Sequence, residues 1–388
     1  MAHALILGAS GISGWSLMNQ ARTYPTPTTF NRITGTTNRP LSLQQAQLPE
    51  DTRLSIVSGV DLTKSVQEVA ESLKEKIQDI DSVSHVFFTA YIQTADFQSL
   101  KEKNTSLLET AVRAIERVSS KLQAFILQTG GKGFAMNSYG LEFSKELEIK
   151  APLREDYSRI PEPWASNIFY YTQYDTLKSL SEGKPWTFTE IRPDGIVGFT
   201  PTPNPMNMAQ GIGLYLSIYR AVKGVGASVP FPGYEHGYHS THSDTFQDIL
   251  SKMEIYAALN PEKCGNGAVF NMADGKTVSW SQVWPGLCAH FGLTGEGPGA
   301  ESVKMEDFVK EHRDVWTTLA KEHGLDEKLI DKQGWAHTHF MLVDFDFDRQ
   351  YDLSRSREVG FAEEIDTVDG YVVSWERMRA AKQLPPLK

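Results

Sequence analysis

Ala4-Leu5-Ile6-Leu7-Gly8-Ala9-Ser10-Gly11-Ile12-Ser13-Gly14 is the stretch whose reading decides the fold. Four apolar residues in a row read as a strand buried on both faces. Gly8, Gly11 and Gly14 then allow a sharp turn, close approach of the backbone to a diphosphate, and tight contact between the strand and the next helix. Trp15, Leu17 and Met18 begin that helix, whose positive end attracts phosphate. Gly8, Ser10, Gly11, Ile12 and Gly14 are therefore candidate diphosphate contacts. A merely tight turn would not need the third glycine at helix–strand contact distance.

Outward from this stretch, strand-like and helix-like segments alternate. Phe30–Thr34, Leu54–Val57, His85–Thr89, Leu122–Gln128 and Trp186–Ile191 read as further apolar strands. Between them, Leu107, Leu108, Ala111, Val112, Ile115 and Val118 form one helical stripe. Such alternation predicts an α/β fold, a doubly wound parallel sheet of the Rossmann type covered on both faces. After Arg192-Pro193 the texture changes, with a proline-rich loop at Thr200–Pro205 and then longer helical stretches. Asp244–Leu259 and Met305–His323 are periodic, and Val368, Val372, Trp375 and Met378 mark a last amphipathic helix. The expected division is residues 1–199 as the dinucleotide-binding domain. Residues 200–388 follow as a smaller, mainly helical substrate-binding region, with strands such as Ala268–Met272 rejoining the sheet.

Bulk properties narrow the class. A net charge of −10 argues against a nucleic-acid partner, because counterion release needs a basic face. Two cysteines exclude a disulfide scaffold and suit a reducing, cytoplasmic setting. No apolar run approaches the roughly 20 residues of a membrane span. An aromatic share of 11% is compatible with a lined apolar cavity as well as with large cores. A monomer or homodimer is expected.

The second strand runs into Gly35-Thr36-Thr37-Asn38-Arg39, with no acid to grip a ribose 2′-hydroxyl. Arg39, beside Asn38, can instead pair with a 2′-phosphate, which favours NADPH over NADH. Asp61 and Leu62, past the third strand, are placed to touch adenine. The alternative for Asp61 is a helix N-cap.

Hydride chemistry on a carbonyl-bearing substrate needs a proton or hydrogen-bond donor, and a tyrosine supported by a lysine supplies one. Two pairs compete. Tyr174 and Lys178 lie four apart on one helix, whereas Tyr170 would have to meet Lys132 from the Leu127-Gln128-Thr129-Gly130-Gly131-Lys132 loop. Starting from Tyr174 shortens the helix and moves the tyrosine away from the strand ends, where ligands bind in such sheets. Tyr170 is favoured, with Lys132 expected to lower its pKa.

Leu127–Lys132, Asn167-Ile168-Phe169-Tyr170-Tyr171 and Arg192-Pro193-Asp194-Gly195-Ile196-Val197-Gly198-Phe199 together resemble the motifs of one family, the progesterone 5β-reductase/iridoid synthase family. It is an atypical extended branch of the short-chain dehydrogenase/reductases. The likeness is looser at Ala268-Val269-Phe270-Asn271 and returns in Val315-Trp316, Glu322–Leu325 and Gly360-Phe361. The resemblance implies that Lys132 and Tyr170 are the catalytic pair. By the same analogy, Thr89 and Ala90 pass the cofactor's diphosphate-ribose, and Pro193 to Val197, Ile196 included, lie beside the nicotinamide amide. It further implies reduction of a carbon–carbon double bond conjugated to a carbonyl, on an apolar small molecule.

Departures fall on the substrate side. Gly133-Phe134 stands where the family has His-Tyr, and Tyr91 stands where it often has tryptophan. The segment from Met136 to Ala151 looks longer than the family's. Tyr91, Phe134, Trp335 and Phe340 are the candidate substrate contacts. A carbonyl reductase, a redox-neutral isomerase or cyclase, and a non-catalytic NADP(H)-sensing regulator are the alternative readings. Glu235–His242 holds three histidines, but its glycine and the preceding Pro230–Gly233 suggest a loop, so no metal site is expected. His337 and His339 carry the same ambiguity between pocket lining and packing.

Overall fold

In the computed structural model, residues 2–94, 96–134, 150–202 and 204–387 are described. The long segment read between Met136 and Ala151 thus falls, except for its last two residues, outside them.

Seven strands form the central sheet: β1 (Ala2–Leu7), β2 (Phe30–Thr37), β3 (Leu54–Ser58), β4 (His85–Phe88), β5 (Ala124–Gln128), β6 (Thr187–Pro193) and β7 (Ala268–Met272). Their order is β3-β2-β1-β4-β5-β6-β7 and every pairing is parallel. Strand alternation splits the core into two layers. Ala4, Ile6, Phe87 and Ile126 face one, while Leu5, Leu7, Val86, Phe88, Phe125 and Leu127 face the other. A strand buried on both sides has no polar face, which is why these runs are continuous rather than alternating.

Helices cover both layers. α1 (Ile12–Gln20) follows β1, and α2 (Val66–Lys76) starts in a capping box made by Ser65 and Glu68. α3 (Phe97–Val118) is capped by Asp96 and buries Leu100, Leu107, Leu108, Ala111, Val112, Ile115 and Val118, a stripe at helical spacing. α4 (Phe169–Ser181) lies against α3, joined by Thr105 to Thr172 at 2.7 Å and by Gln173 Nε2 donating to the Asn104 carbonyl at 3.0 Å. Its end is set by the Gly183 turn before Pro185, where φ is +70°. After β6 come α5 (Met208–Lys223), α6 (Gln247–Leu259), the short α7 (Trp335–His339) and α8 (Thr367–Ala380). Ser16 of α1 donates to the Gln247 carbonyl at 2.9 Å, so α6 packs on the β1 side of the molecule.

Three sequence expectations need correction. Asp244–Leu259 is not one helix: Asp244–Phe246 is a short strand paired with Gly195–Val197, and α6 begins at Gln247. Met305–His323 is two helices, Met305–Glu311 and Arg313–His323, broken at His312. Glu235–His239 is a helix followed by a short strand at Thr241–His242, not a loop. Ala268–Met272 does join the sheet, at its edge beside β6.

Candidate active site

In this strand order the connection from β3 to β4 crosses to the other side of β1, opening a crevice outside the carboxyl ends of β1 and β4. Gly8 stands there with φ +100°, and a Cβ on it would lie 2.9 Å from the Ala90 nitrogen and from the Thr89 carbonyl carbon. A Cβ on Gly14 would lie 2.2 Å from the Gly8 oxygen. Neither position accepts a side chain, so the turn depends on both. The amides of Gly8 and Ala9 are spent on the Thr36 carbonyl, and Thr89 donates through its backbone and its hydroxyl to the Leu7 carbonyl, each at 3.0 Å. α1 has Gly11 as its N-cap and no side chain caps its first turn. A glycine cradle with an uncapped helix start beyond it suits a diphosphate.

Around this crevice, Asn38 and Arg39 are exposed past β2, and the Arg39 guanidinium makes no hydrogen bond or ion pair with the described residues. Past β3, Asp61 accepts from the Thr63 amide and hydroxyl, which hold its carboxyl below the usual range. The N-cap of α2 is Ser65, so the capping alternative for Asp61 falls away. Leu62 is buried in the apolar layer under β1. Pro193 ends β6, and Ile196 pairs with Thr245 in the short strand beyond.

Lys132 and Tyr170 come together. Lys132 sits in a 3₁₀ turn, Gly131–Phe134, and Tyr170 in the first turn of α4. The Lys132 ammonium lies 5.3 Å from the Tyr91 and Phe169 ring centroids and 5.8 Å from that of Tyr170. Phe169 and Tyr170 are 4.3 Å apart, and Tyr91 and Phe169 5.8 Å, so the three rings enclose the ammonium. A Cβ on Gly130 would lie 3.5 Å from the Tyr170 hydroxyl, which puts that phenol over the end of β5. The competing pair is apart from all this. Tyr174 donates to the Gly267 carbonyl at 2.8 Å, near the amino end of β7, and Lys178 is exposed.

The electrostatics differ from expectation. Burial lowers Lys132 to about 8, with no carboxylate paired to it among the described residues. Tyr170 is pushed up, first by burial and then by Tyr91 and Glu190, not down. The cation lies over ring faces, and desolvation of the phenolate is the largest influence on Tyr170. A phenol raised in this way stays protonated and donates.

Supporting contacts hold the lysine turn. Tyr171, next to Tyr170, donates to the Gly133 carbonyl at 2.6 Å and accepts from the Ile160 amide at 3.2 Å. Arg192 lies 5.4 Å from the Phe134 centroid and is forked onto Glu190 by two 3.0 Å bonds. Glu190 also accepts from Thr129 at 2.6 Å. Tyr351 meets Phe134 edge-on at 5.7 Å and donates to the Pro193 carbonyl at 3.3 Å. No motif pointed to Tyr171, Arg192 or Tyr351 in these roles.

From the cap side, Trp335 is buried with its indole donating to Ile330, and Phe340 is half-buried 4.2 Å from Phe345. His337 approaches instead: burial and the Lys132 ammonium together hold its pKa down to about 4. The three histidines of 235–242 do not converge. His236 and His239 are exposed, whereas His242 is buried 4.7 Å from the Trp280 ring. Among the described residues no group of three or more His, Cys, Asp or Glu could hold a metal, and no helix is long and apolar enough to cross a membrane.

A doubly wound parallel sheet, a glycine turn at its switch point, and a lysine–tyrosine pair over the strand ends define an enzyme of the short-chain dehydrogenase/reductase superfamily. Residues 4–385 match the family described as the PRISE-like Rossmann-fold domain, and the chain belongs to that family. Among its relatives, the short chain dehydrogenase ausT of Aspergillus calidoustus is 35% identical, covering 99% of this chain and 94% of the relative. The (S)-8-oxocitronellyl enol synthase ISY1 of Nepeta racemosa is 27% identical, over 98% and 93%. In fold, the chain resembles the Bordetella bronchiseptica enzyme WbmH, crystallised with NAD+, with a TM-score of 0.58, 14% identity and coverage of 98% and 99%. The family resemblance read from the motifs therefore extends over nearly the whole chain.

Proposed function

We propose that this enzyme is an NADPH-dependent reductase that saturates a carbon–carbon double bond conjugated to a carbonyl, on an apolar small molecule. The observation that supports this most is the meeting of Lys132 and Tyr170 in one aromatic enclosure over the carboxyl ends of the sheet. NADPH, when bound, supplies the hydride, which goes to the β-carbon and leaves charge on the carbonyl oxygen as an enolate.

The residues divide the remaining work. Tyr170, kept protonated by burial, donates a hydrogen bond or proton to that oxygen, where charge develops. Lys132 keeps a positive charge beside it up to about pH 8. Tyr91 and Phe134 form apolar walls and exclude water, which strengthens both interactions. Gly8, Ser10, Gly11, Ile12 and Gly14 hold the diphosphate, with Thr89, Ala90, Asp61 and Leu62 along the cofactor and Pro193 and Ile196 beside the nicotinamide. Asn38 and Arg39 take the 2′-phosphate. The Nepeta relative is an enol synthase by name, and an enol is what such an enolate gives on protonation at oxygen.

Tyr170→Phe tests the reading. Turnover of conjugated enals and enones, followed by NADPH oxidation, should fall about 10²- to 10⁴-fold while NADPH affinity stays unchanged. Undiminished turnover would remove Tyr170 from the mechanism.

A further inference from the structure

Tyr351 has so far appeared only as a support, yet it touches both sides of the cleft. The last rung between β5 and β6 is the Thr129 amide donating to the Ile191 carbonyl at 2.9 Å. Carbonyls along a strand alternate in direction, so Pro193, two residues on, turns its own carbonyl to the same side. There β5 has already left the sheet for the Gly131–Phe134 turn. A buried carbonyl past the end of its neighbouring strand needs a donor from elsewhere. The Tyr351 hydroxyl supplies one at 3.3 Å.

That carbonyl borders the reacting space. A Cβ on Gly130 would lie 3.4 Å from the Pro193 oxygen and 3.5 Å from the Tyr170 hydroxyl, so both face one gap at the end of β5. The ring of the same Tyr351 meets Phe134 edge-on at 5.7 Å. Tyr351 is itself firmly held. It is 5% exposed, and its amide donates to the Ser243 hydroxyl at 2.8 Å. On either side of it, the Leu153 amide donates to the Gln350 carbonyl at 2.8 Å and the Asp352 amide to the Leu153 carbonyl at 2.9 Å. Burial first, then Asp194, raises the phenol well above its usual range, so it stays a neutral donor.

We propose that Tyr351 is a positioning residue for hydride transfer: one phenol holds the Pro193 carbonyl beside the nicotinamide and the Phe134 ring beside the substrate, and so fixes how far apart the two reactants lie. This deepens the reductase reading and rests on it for the nicotinamide's place at Pro193 and the substrate's at Phe134. Small errors in that spacing slow the transfer itself. The diphosphate, held at the glycine turn, does not feel them.

Tyr351→Phe keeps the ring against Phe134 and removes the bond to Pro193. NADPH affinity should stay unchanged, while time-resolved fluorescence anisotropy of the bound reduced nicotinamide should show faster ring motion. In turnover of an enone, kcat should fall about tenfold with substrate KM steady, and the isotope effect from NADPH deuterated at C4 should rise. Ser243→Ala frees only the Tyr351 amide and should move anisotropy and kcat the same way by a smaller factor. It carries the test if Tyr351→Phe does not fold. Wild-type anisotropy and isotope effect in the folded variants would overturn the proposal, whether or not their unfolding midpoints drop. The anisotropy measurement needs no substrate, so its result is independent of Tyr170→Phe turnover, which reports on the reductase reading alone.

Discussion

At the end of β2, Arg39 is an exposed guanidinium whose charge no described residue engages, beside an equally exposed Asn38. An exposed contact to phosphate is worth less than a buried one, since water and salt screen it. Even so, a forked bond to a dianion exceeds a neutral one. Arg39→Ala should weaken NADPH binding about tenfold and leave NADH binding unchanged, as read by fluorescence titration with each nucleotide. Equal loss for both nucleotides would make Arg39 a general phosphate attractor instead. The turn at Gly8 and Gly14 was legible because a sharp strand–turn–helix connection requires glycine there, whereas the choice of Lys132 with Tyr170 over Tyr174 with Lys178 was carried by the family resemblance. The upward shift of Tyr170 was not legible, because it comes from burial by side chains distant in sequence.

Among elements, α4 couples the tyrosine to the lysine turn. Tyr170 points over the end of β5 while Tyr171, a third of a turn on, ties down Gly133. Tyr171→Phe would leave the Gly133 carbonyl and the Ile160 amide without their partner, at a cost of about 1–3 kcal/mol if they stay dry. Thermal unfolding should shift downward, and kcat should fall more than KM rises, because the Lys132 turn loses its tether. A lowered unfolding midpoint with unchanged kcat would show that the turn is held adequately by Phe134 and its neighbours. The strands were readable because burial on both faces leaves an unbroken apolar signature. The cap was less so. Asp244–Phe246 is a strand only because Gly195–Val197 lies beside it, a partner nearly fifty positions away that periodicity cannot register. The break at His312 likewise lies inside a continuous amphipathic pattern, where His312 Nδ1 lies 3.0 Å from the Phe308 carbonyl oxygen.

Across the whole molecule, the sheet's last strands and the cap meet at a set of inward-facing acids. Asp244 is 1% exposed and raised to about 7, first by burial, with Asp194 adding to the rise and Arg349 and the Tyr371 hydroxyl opposing it. Asp194 is raised to about 6 by burial against the same Arg349, and Asp274 is raised well above its usual range. An acid raised on folding costs nothing while both states are protonated and destabilises once the unfolded state ionises. For Asp244 the folded protein binds more protons than the unfolded one between about pH 4 and about pH 7, so stability is lost as pH rises through that window. Buried His3 and His85, each lowered to about 4, act in the opposite direction over part of the same range. The wild-type curve therefore mixes two opposed slopes, and a difference between variants isolates one of them. Asp244→Asn keeps an acceptor for Tyr371 and removes the titration, while the histidines cancel. Its unfolding midpoint relative to wild type should rise by several degrees from pH 4 to pH 7 and stay level above that. A difference that is flat across the window, or that falls, would mean Arg349 keeps Asp244 ionised at every pH tested.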